Sequence, residues 1–128
     1  MSKKNKELRK DILEERKKQE IMKCYEEIEE RYKKIIEEKE AKNEKNINEK
    51  NLLAFTYYNM GKVDEAKNEL EELIRKYDSY TAYRQIIYIE HQQGNLDTAR
   101  LWAYECLDRF PKNTSIQKCV DDLEKEAE

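Results

Sequence analysis

Residues 59–66 read NMGKVDEA and residues 92–99 read QQGNLDTA, so a glycine, an apolar residue, an aspartate and an alanine recur after 33 residues. A recurrence of this length is typical of stacked helical hairpins, in which each repeat is one pair of helices. Ala66 and Ala99 are small enough for the second helix of a hairpin to cross closely over the first. The two stretches therefore predict a helical array.

The amino-acid composition also favours a helical array. Of 128 residues, 43% are charged and 38% hydrophobic, which suits a thin, extended object better than a wide globule. Only two glycines and one proline occur. Long helices with short connections are therefore expected, and the predicted fold class is all-α.

Charge and hydropathy argue against several functions. Residues 1–46 carry 15 Lys/Arg and 13 Asp/Glu, and the remainder carries 11 and 16, so the repeat half is acidic and nucleic-acid binding is not expected. No apolar run resembles a signal peptide or membrane span, which predicts a soluble, cytoplasmic protein. Within the basic first 18 residues, the apolar side chains of Leu8, Ile12 and Leu13 are too few for stable membrane attachment.

Candidate catalytic chemistry is sparse. Cys24, Cys106 and Cys119 have no paired short spacing, and His91 is the one histidine, so no zinc set forms. There is no nucleophile motif and no Gly-rich phosphate loop. The sequence predicts no catalytic, cofactor or metal residue and no enzyme activity.

The positions of the helix-breaking residues predict three regions: a long charged helix over 1–46, two helical hairpins over 47–113, and a capping helix over 114–128. The long helix is predicted over 3–45, with Asn46 ending it and Asn48 capping the next. The shorter helices are predicted near 49–60, 64–77, 80–92, 97–109 and 115–126. Four residues are predicted to open three of them: Asp64 and Asp97 as N-caps, and Thr114 with Gln117 as a capping box.

An apolar seam runs along the second half of the long helix at intervals of four, three, four and three residues: Ile21, Tyr25, Ile28, Tyr32 and Ile35, flanked by Met22 and Ile36. The seam predicts either packing on the chain's own repeats or self-association into a homo-oligomer, and the two can coexist. The preceding residues have little to bury, so the first half of the helix is expected to project into solvent.

The hairpin region resembles the tetratricopeptide repeat family. The matching residues in 47–79 are Leu53, Ala54, Tyr57, Gly61, Ala66, Leu70 and Leu73; those in 80–113 are Tyr83, Ile86, Gly94, Ala99, Ala103, Cys106 and Pro111. Four positions depart from the pattern: Lys50, Asp78, Ile87 and Glu90. The alternative is an antiparallel helical bundle in which two similar turns coincide.

The resemblance implies a concave groove lined by the first helix of each unit, which would accept an extended peptide or a partner helix. The predicted partner-binding residues are Asn51, Phe55, Tyr58, Asn59, Arg84, Tyr88, His91 and Gln92; Asn48 and Thr81 are also predicted on the floor of the groove, and Lys118 is predicted to extend it. Because Asn51 and Phe55 replace residues of the family's carboxylate clamp, binding of chaperone tails is not expected. Two repeats are few for such an array, so the flanking helices are expected to cap it.

Two functions follow. The first is a non-catalytic protein-interaction or scaffold module that uses the groove. The alternative is a coiled-coil-type self-assembly unit in which the N-terminal helix is the functional element.

Overall fold

The computed structural model describes residues 2–128 and contains six helices: α1 (Lys3–Ala41), α2 (Ile47–Asn59), α3 (Val63–Tyr77), α4 (Tyr80–Gln92), α5 (Leu96–Arg109) and α6 (Thr114–Glu126). These residues include no strand, and the predicted all-α fold class is confirmed. Each helix contacts the next along the chain, and α2 also contacts α4. α2 and α4 therefore lie side by side, with α3 packed on both and α5 packed on α4 and α6.

The core is continuous through all six helices and contains small residues where helices meet. Ala66, Ala82 and Ala99 have no exposed surface. The largest fully buried side chains are Tyr83, Leu70, Leu73, Ile86, Ile116 and Cys106. Because this core is closely packed, a larger side chain at Ala66 or Ala99 would force neighbouring helices apart.

The two signature glycines end helices α2 and α4. Gly61 has φ of +82° and Gly94 has φ of +80°, a left-handed conformation that glycine adopts without steric cost. At the first turn the amide of Lys62 donates to the Tyr57 carbonyl at 2.8 Å, and the amide of Gly61 donates to Tyr58 at 3.0 Å. This pair of bonds is the Schellman motif, and the same pattern recurs around Gly94.

The predicted caps of α3 and α5 were wrong by two residues. The N-cap positions are Lys62 and Asn95, so Asp64 and Asp97 lie within the first turn. The reason is that the residue directly after each left-handed glycine is already the N-cap, so the next helix begins two residues after the glycine. The two carboxylates still oppose the positive end of the helix dipole.

Three further predicted boundaries need correction. α1 ends at Ala41 and not near 45, because Asn43 adopts φ of +55° and makes the same Schellman bonds as the glycines. Asn46 occupies the N-cap position of α2, so Asn48 lies inside that helix. α6 is capped by Asn113, whose side chain accepts from the Ile116 amide at 3.0 Å, and not by Thr114.

Helix α1 packs on α2 only through its C-terminal half. Ile36 is buried and Tyr32 is half-buried against the core, whereas every residue from 2 to 24 is exposed. Projection of the first half is thus confirmed. Packing of the predicted seam on the rest of the chain is only partial: Ile21 is 56% exposed and Ile28 is 37% exposed, because the short α2 does not extend far enough to cover them.

Charged side chains fix α1 in place beside the buried contact. Glu29 pairs with Lys62 at 3.2 Å, and the Nζ atoms of Lys33 and Lys62 each lie 5.7 Å from the Tyr57 ring centroid. Lys39 forms an ion pair with Glu49 at the other end of α2. These contacts join α1 to both ends of the first hairpin.

Two of the departures from the repeat pattern are buried charges, and both are paired. The Nζ atom of Lys50 lies 3.3 Å from a Glu72 oxygen and 3.5 Å from a Glu40 oxygen. Glu90 forms an ion pair with Lys67 and accepts from Asn95 at 3.3 Å. Each substitution therefore links neighbouring helices, because a buried charge requires a partner.

Helix α6 covers the end of the second hairpin with Ile116, Val120 and Leu123, all of which are buried. Cys119 is half-buried beside them. The predicted apolar face of this helix is confirmed.

Candidate functional site

A groove runs across α2, α4 and α6 and consists of two adjoining cavities. Arg84 and Tyr88 line both of them, so the cavities meet at the middle of α4. We call them the aromatic cavity and the charged cavity. The aromatic cavity lies between α2 and α4, and the charged cavity lies between α4 and α6.

The aromatic cavity has a volume of about 250 Å³. Its lining residues are Phe55, Tyr58, Thr81, Arg84, Gln85, Tyr88 and Ile89. The Tyr58 and Tyr88 rings meet edge to face, with centroids 6.1 Å apart and an interplanar angle of 74°. Rings in this arrangement stabilise each other, so the floor of the cavity is rigid.

The aromatic cavity opens to solvent. Phe55 and Tyr88 are each 52% exposed, although both are large and mostly apolar. Leu52, one turn before Phe55 on α2, is 46% exposed. Exposed apolar side chains that adjoin one another are characteristic of binding surfaces.

The charged cavity has a volume of about 490 Å³ and is lined from both sides by ionisable groups. They are Arg84 and His91 from α4, and Lys118, Cys119, Asp122 and Glu126 from α6. A ring nitrogen of His91, Nε2, lies 2.8 Å and 3.0 Å from the two carboxylate oxygens of Glu126. This contact links the ends of α4 and α6.

Arg84 holds the start of α6 at the opposite end of the charged cavity. Its Nη1 donates to the Ser115 carbonyl oxygen at 3.4 Å. The positive charge also lies close to two thiols: burial raises the pKa of Cys106 to about 11 and raises that of Cys119, and Arg84 opposes both changes. The Cys106 thiol is therefore protonated at neutral pH.

The structure brings together most of the predicted partner-binding residues. Phe55, Tyr58, Arg84, Tyr88 and His91 line the groove. Thr81, predicted on its floor, and Lys118, predicted to extend it, line it as well.

Four predicted residues lie outside the groove, and one of them is Asn48, which is exposed in the first turn of α2 and lines neither cavity. Asn51 is buried, and its amide nitrogen donates to the Ile47 carbonyl at 3.1 Å, so it is not available to a partner. Its position one turn after Ile47 allows this bond within the helix. Asn59 and Gln92 are exposed at the final residues of α2 and α4, past the ends of both cavities.

Sequence reasoning missed several lining residues. Gln85 and Ile89 lie on the side of α4 that faces α2, and Asp122 and Glu126 lie on α6. The spacing of Lys118, Asp122 and Glu126 at four-residue intervals was a usable signal, since such residues share one face of a helix.

Across residues 2–128 no group of three or more His, Cys, Asp or Glu side chains could hold a metal ion. None of the six helices is both long and apolar enough to cross a membrane.

Comparisons with family models, with curated proteins and with solved structures gave no match to this chain.

Proposed function

We propose that this protein is a non-catalytic protein-interaction module, similar to a short tetratricopeptide repeat array, whose groove binds an extended peptide or a partner helix. Three features support the resemblance. The signature glycines form the same turn twice, the small alanines are fully buried at helix crossings, and the first helices of the two hairpins lie side by side.

The observation that carries this proposal is where the exposed apolar side chains lie. Beyond α1, five large hydrophobic side chains are exposed: Leu52, Phe55, Tyr77, Tyr88 and Leu101. Three of the five are on α2 and α4, and two of those line the aromatic cavity. Rigid aromatic side chains supply contact area to a partner at low entropic cost, which explains their use at binding surfaces.

The proposal also places the protein in a reducing compartment such as the cytoplasm. Cys24, Cys106 and Cys119 are all free thiols. Free cysteines are usual in such compartments, whereas oxidising compartments favour disulfides.

Selection from a random peptide library tests the groove directly. Peptides enriched on the full chain should bind a Phe55→Ala/Tyr88→Ala variant at least about tenfold more weakly, because two anchoring rings are lost. Leu101→Ala is the matched control, since Leu101 is 68% exposed on α5, outside the groove. Equal binding of the peptides to all three proteins would contradict the proposal.

A second candidate function is self-assembly through α1, and one observation favours it. Ile21, Met22 and Ile28 are exposed on the part of α1 that extends beyond α2, together with Leu8 and Ile12. A second copy of the helix could cover these side chains.

Light scattering on substituted full-length chains separates the two candidates. Removing residues 1–45 would also remove buried Ile36, so substitution is the cleaner test. If α1 assembles the protein, Ile21→Glu/Ile28→Glu should convert an oligomer into a monomer. A wild-type monomer, or an oligomer that survives both substitutions, would exclude this function for α1.

A further inference from the structure

Arg84 differs from the other partly enclosed cations of the protein. Five Lys or Arg residues within 2–128 are buried or half-buried: Lys39, Lys50, Lys67, Arg84 and Arg100. Four of them have a carboxylate within ion-pairing distance, and Arg84 has none. The guanidinium of Arg84 donates one hydrogen bond, to a neutral carbonyl oxygen. Its remaining donors have no anionic partner in the fold.

Lys118 adds a second unpaired cation across the charged cavity. It is exposed on α6 and forms no ion pair, although Asp122 lies one turn further along the same helix. Glu126, the other acid of the cavity, shares hydrogen bonds with His91 at the end of α4. Neither Arg84 nor Lys118 has an ion-pair partner, so both side chains are available to an acidic group of a ligand.

The unpaired charge directly adjoins the aromatic cavity, because Arg84 lines both cavities. A ligand side chain enclosed by Phe55 and Tyr58 would thus bring its neighbouring residues to the guanidinium. In an extended peptide, side chains two residues apart lie on the same face and are separated by about 6.6 Å. Because Arg84 itself lines the aromatic cavity, an apolar and a charged side chain of the same short segment can contact the rings and the guanidinium together.

We infer that the groove recognises an extended peptide segment in which a large apolar residue lies within two residues of an Asp or Glu. The apolar side chain occupies the aromatic cavity, and the carboxylate accepts hydrogen bonds from Arg84 with further attraction from Lys118. This inference rests on the proposed function and adds the chemistry of the ligand. A guanidinium binds a carboxylate through two parallel hydrogen bonds, which makes the pairing selective as well as attractive.

The test uses peptides selected on the full-length protein and synthesised with amidated C-termini, so that only side chains offer carboxylates. Replacing the selected Asp or Glu by Asn or Gln should weaken binding about tenfold or more, as expected for loss of a charged hydrogen bond. Affinity should also fall as salt concentration rises. Selection on Arg84→Glu should enrich Lys or Arg in place of the acid.

Two control variants keep the result interpretable. Arg75→Glu reverses an exposed cation on α3 outside the groove and should select the same acidic peptides as the wild type. Arg84→Gln removes the charge without adding an acid to the cavity and should lose the acidic preference without acquiring a basic one. Unchanged urea midpoints would show that each variant is folded.

The outcomes distinguish this inference from the function on which it rests. Peptides that need Phe55 and Tyr88 but show no preference for acidic residues would overturn the inference, whereas the proposed binding of peptides in the groove would stand. Peptides that require a free C-terminal carboxylate would also overturn it. If no peptide is enriched, or if binding ignores Phe55 and Tyr88, both proposals fail.

Discussion

Glu90 is a carboxylate at a position where the repeat pattern expects a tyrosine, and only 4% of its surface is exposed. Its ion pair with Lys67 connects α4 to α3. We expect Lys67→Met to lower the free energy of unfolding by about 3 kcal/mol, because it leaves a buried charge without its cation. Adding Glu90→Gln should restore most of the loss, since no charge then remains.

Urea unfolding near pH 7 measures both effects. Lys112→Met, at an exposed residue without an ion pair, is the control for removal of a lysine. If Lys67→Met were no more costly than this control, the pair would not contribute to stability.

Glu69 predicts a pH dependence of a particular sign. Its pKa is raised, chiefly by burial and then by the nearby carboxylate of Glu72. Because the folded state favours the protonated form of Glu69, this residue contributes stability below its unfolded-state pKa. The contribution is lost as pH rises through the folded-state pKa. Glu69→Gln should therefore stabilise the protein near pH 7.

The effect of Glu69→Gln should disappear near pH 3.5, below the glutamate pKa of about 4.3 in unfolded chains. Urea midpoints at the two pH values provide the measurement. Glu72→Gln is the informative contrast, since hydrogen bonding with Lys76 and then Lys50 lowers the pKa of Glu72. It should destabilise near pH 7, and equal effects of the two substitutions would contradict the assignment.

At the scale of elements, α1 is one continuous helix with two different environments. Ile36 is 8% exposed against the core, whereas Ile21 is 56% exposed on the projecting part. Ile36→Ala should cost about 2 kcal/mol or more, within the range for truncating a buried isoleucine, and Ile21→Ala should cost almost nothing. Thermal or urea unfolding of the two variants tests this, and similar costs would show that the projecting half is also packed.

The existence and order of the helices could be predicted from sequence, because Gly61, Gly94 and the segment around Pro111 each separate two runs of helix-forming residues. The caps could not. Whether Asp64 or Lys62 occupies the N-cap depends on the backbone geometry of the preceding turn, which the residue types alone do not determine. Asn43 illustrates the same point, since it ends α1 with a left-handed conformation that sequence reasoning had not expected.

At the scale of the whole molecule, the repeat register was enough to locate Phe55, Tyr58, Arg84 and Tyr88 on one surface. Of the residues of α6, sequence reasoning located only Lys118, because the approach of this helix to α4 depends on how the last helix packs. Asn51 was misassigned since the register gives the face of a helix but not whether a neighbouring element covers it. The groove therefore combines a part that periodicity predicts with a part that only tertiary packing creates.

The same packing explains how the two short hairpins are covered at both ends. Ile36 of α1 closes one end of the array, and Ile116, Val120 and Leu123 of α6 close the other. α6 also completes the groove, since it supplies Lys118 and the acids of the charged cavity. Stability and the proposed binding surface thus depend on the same terminal helix.

The most direct test of this account is a nuclear magnetic resonance titration of the full-length protein with a peptide selected on it. We predict that the largest changes in chemical shift occur at Phe55, Tyr58, Arg84, Tyr88 and Lys118, while signals around Leu101 and in residues 2–24 remain unchanged. Largest changes in the projecting part of α1 or on the exposed side of α5, with the groove unaffected, would contradict the assignment of the groove as the binding site.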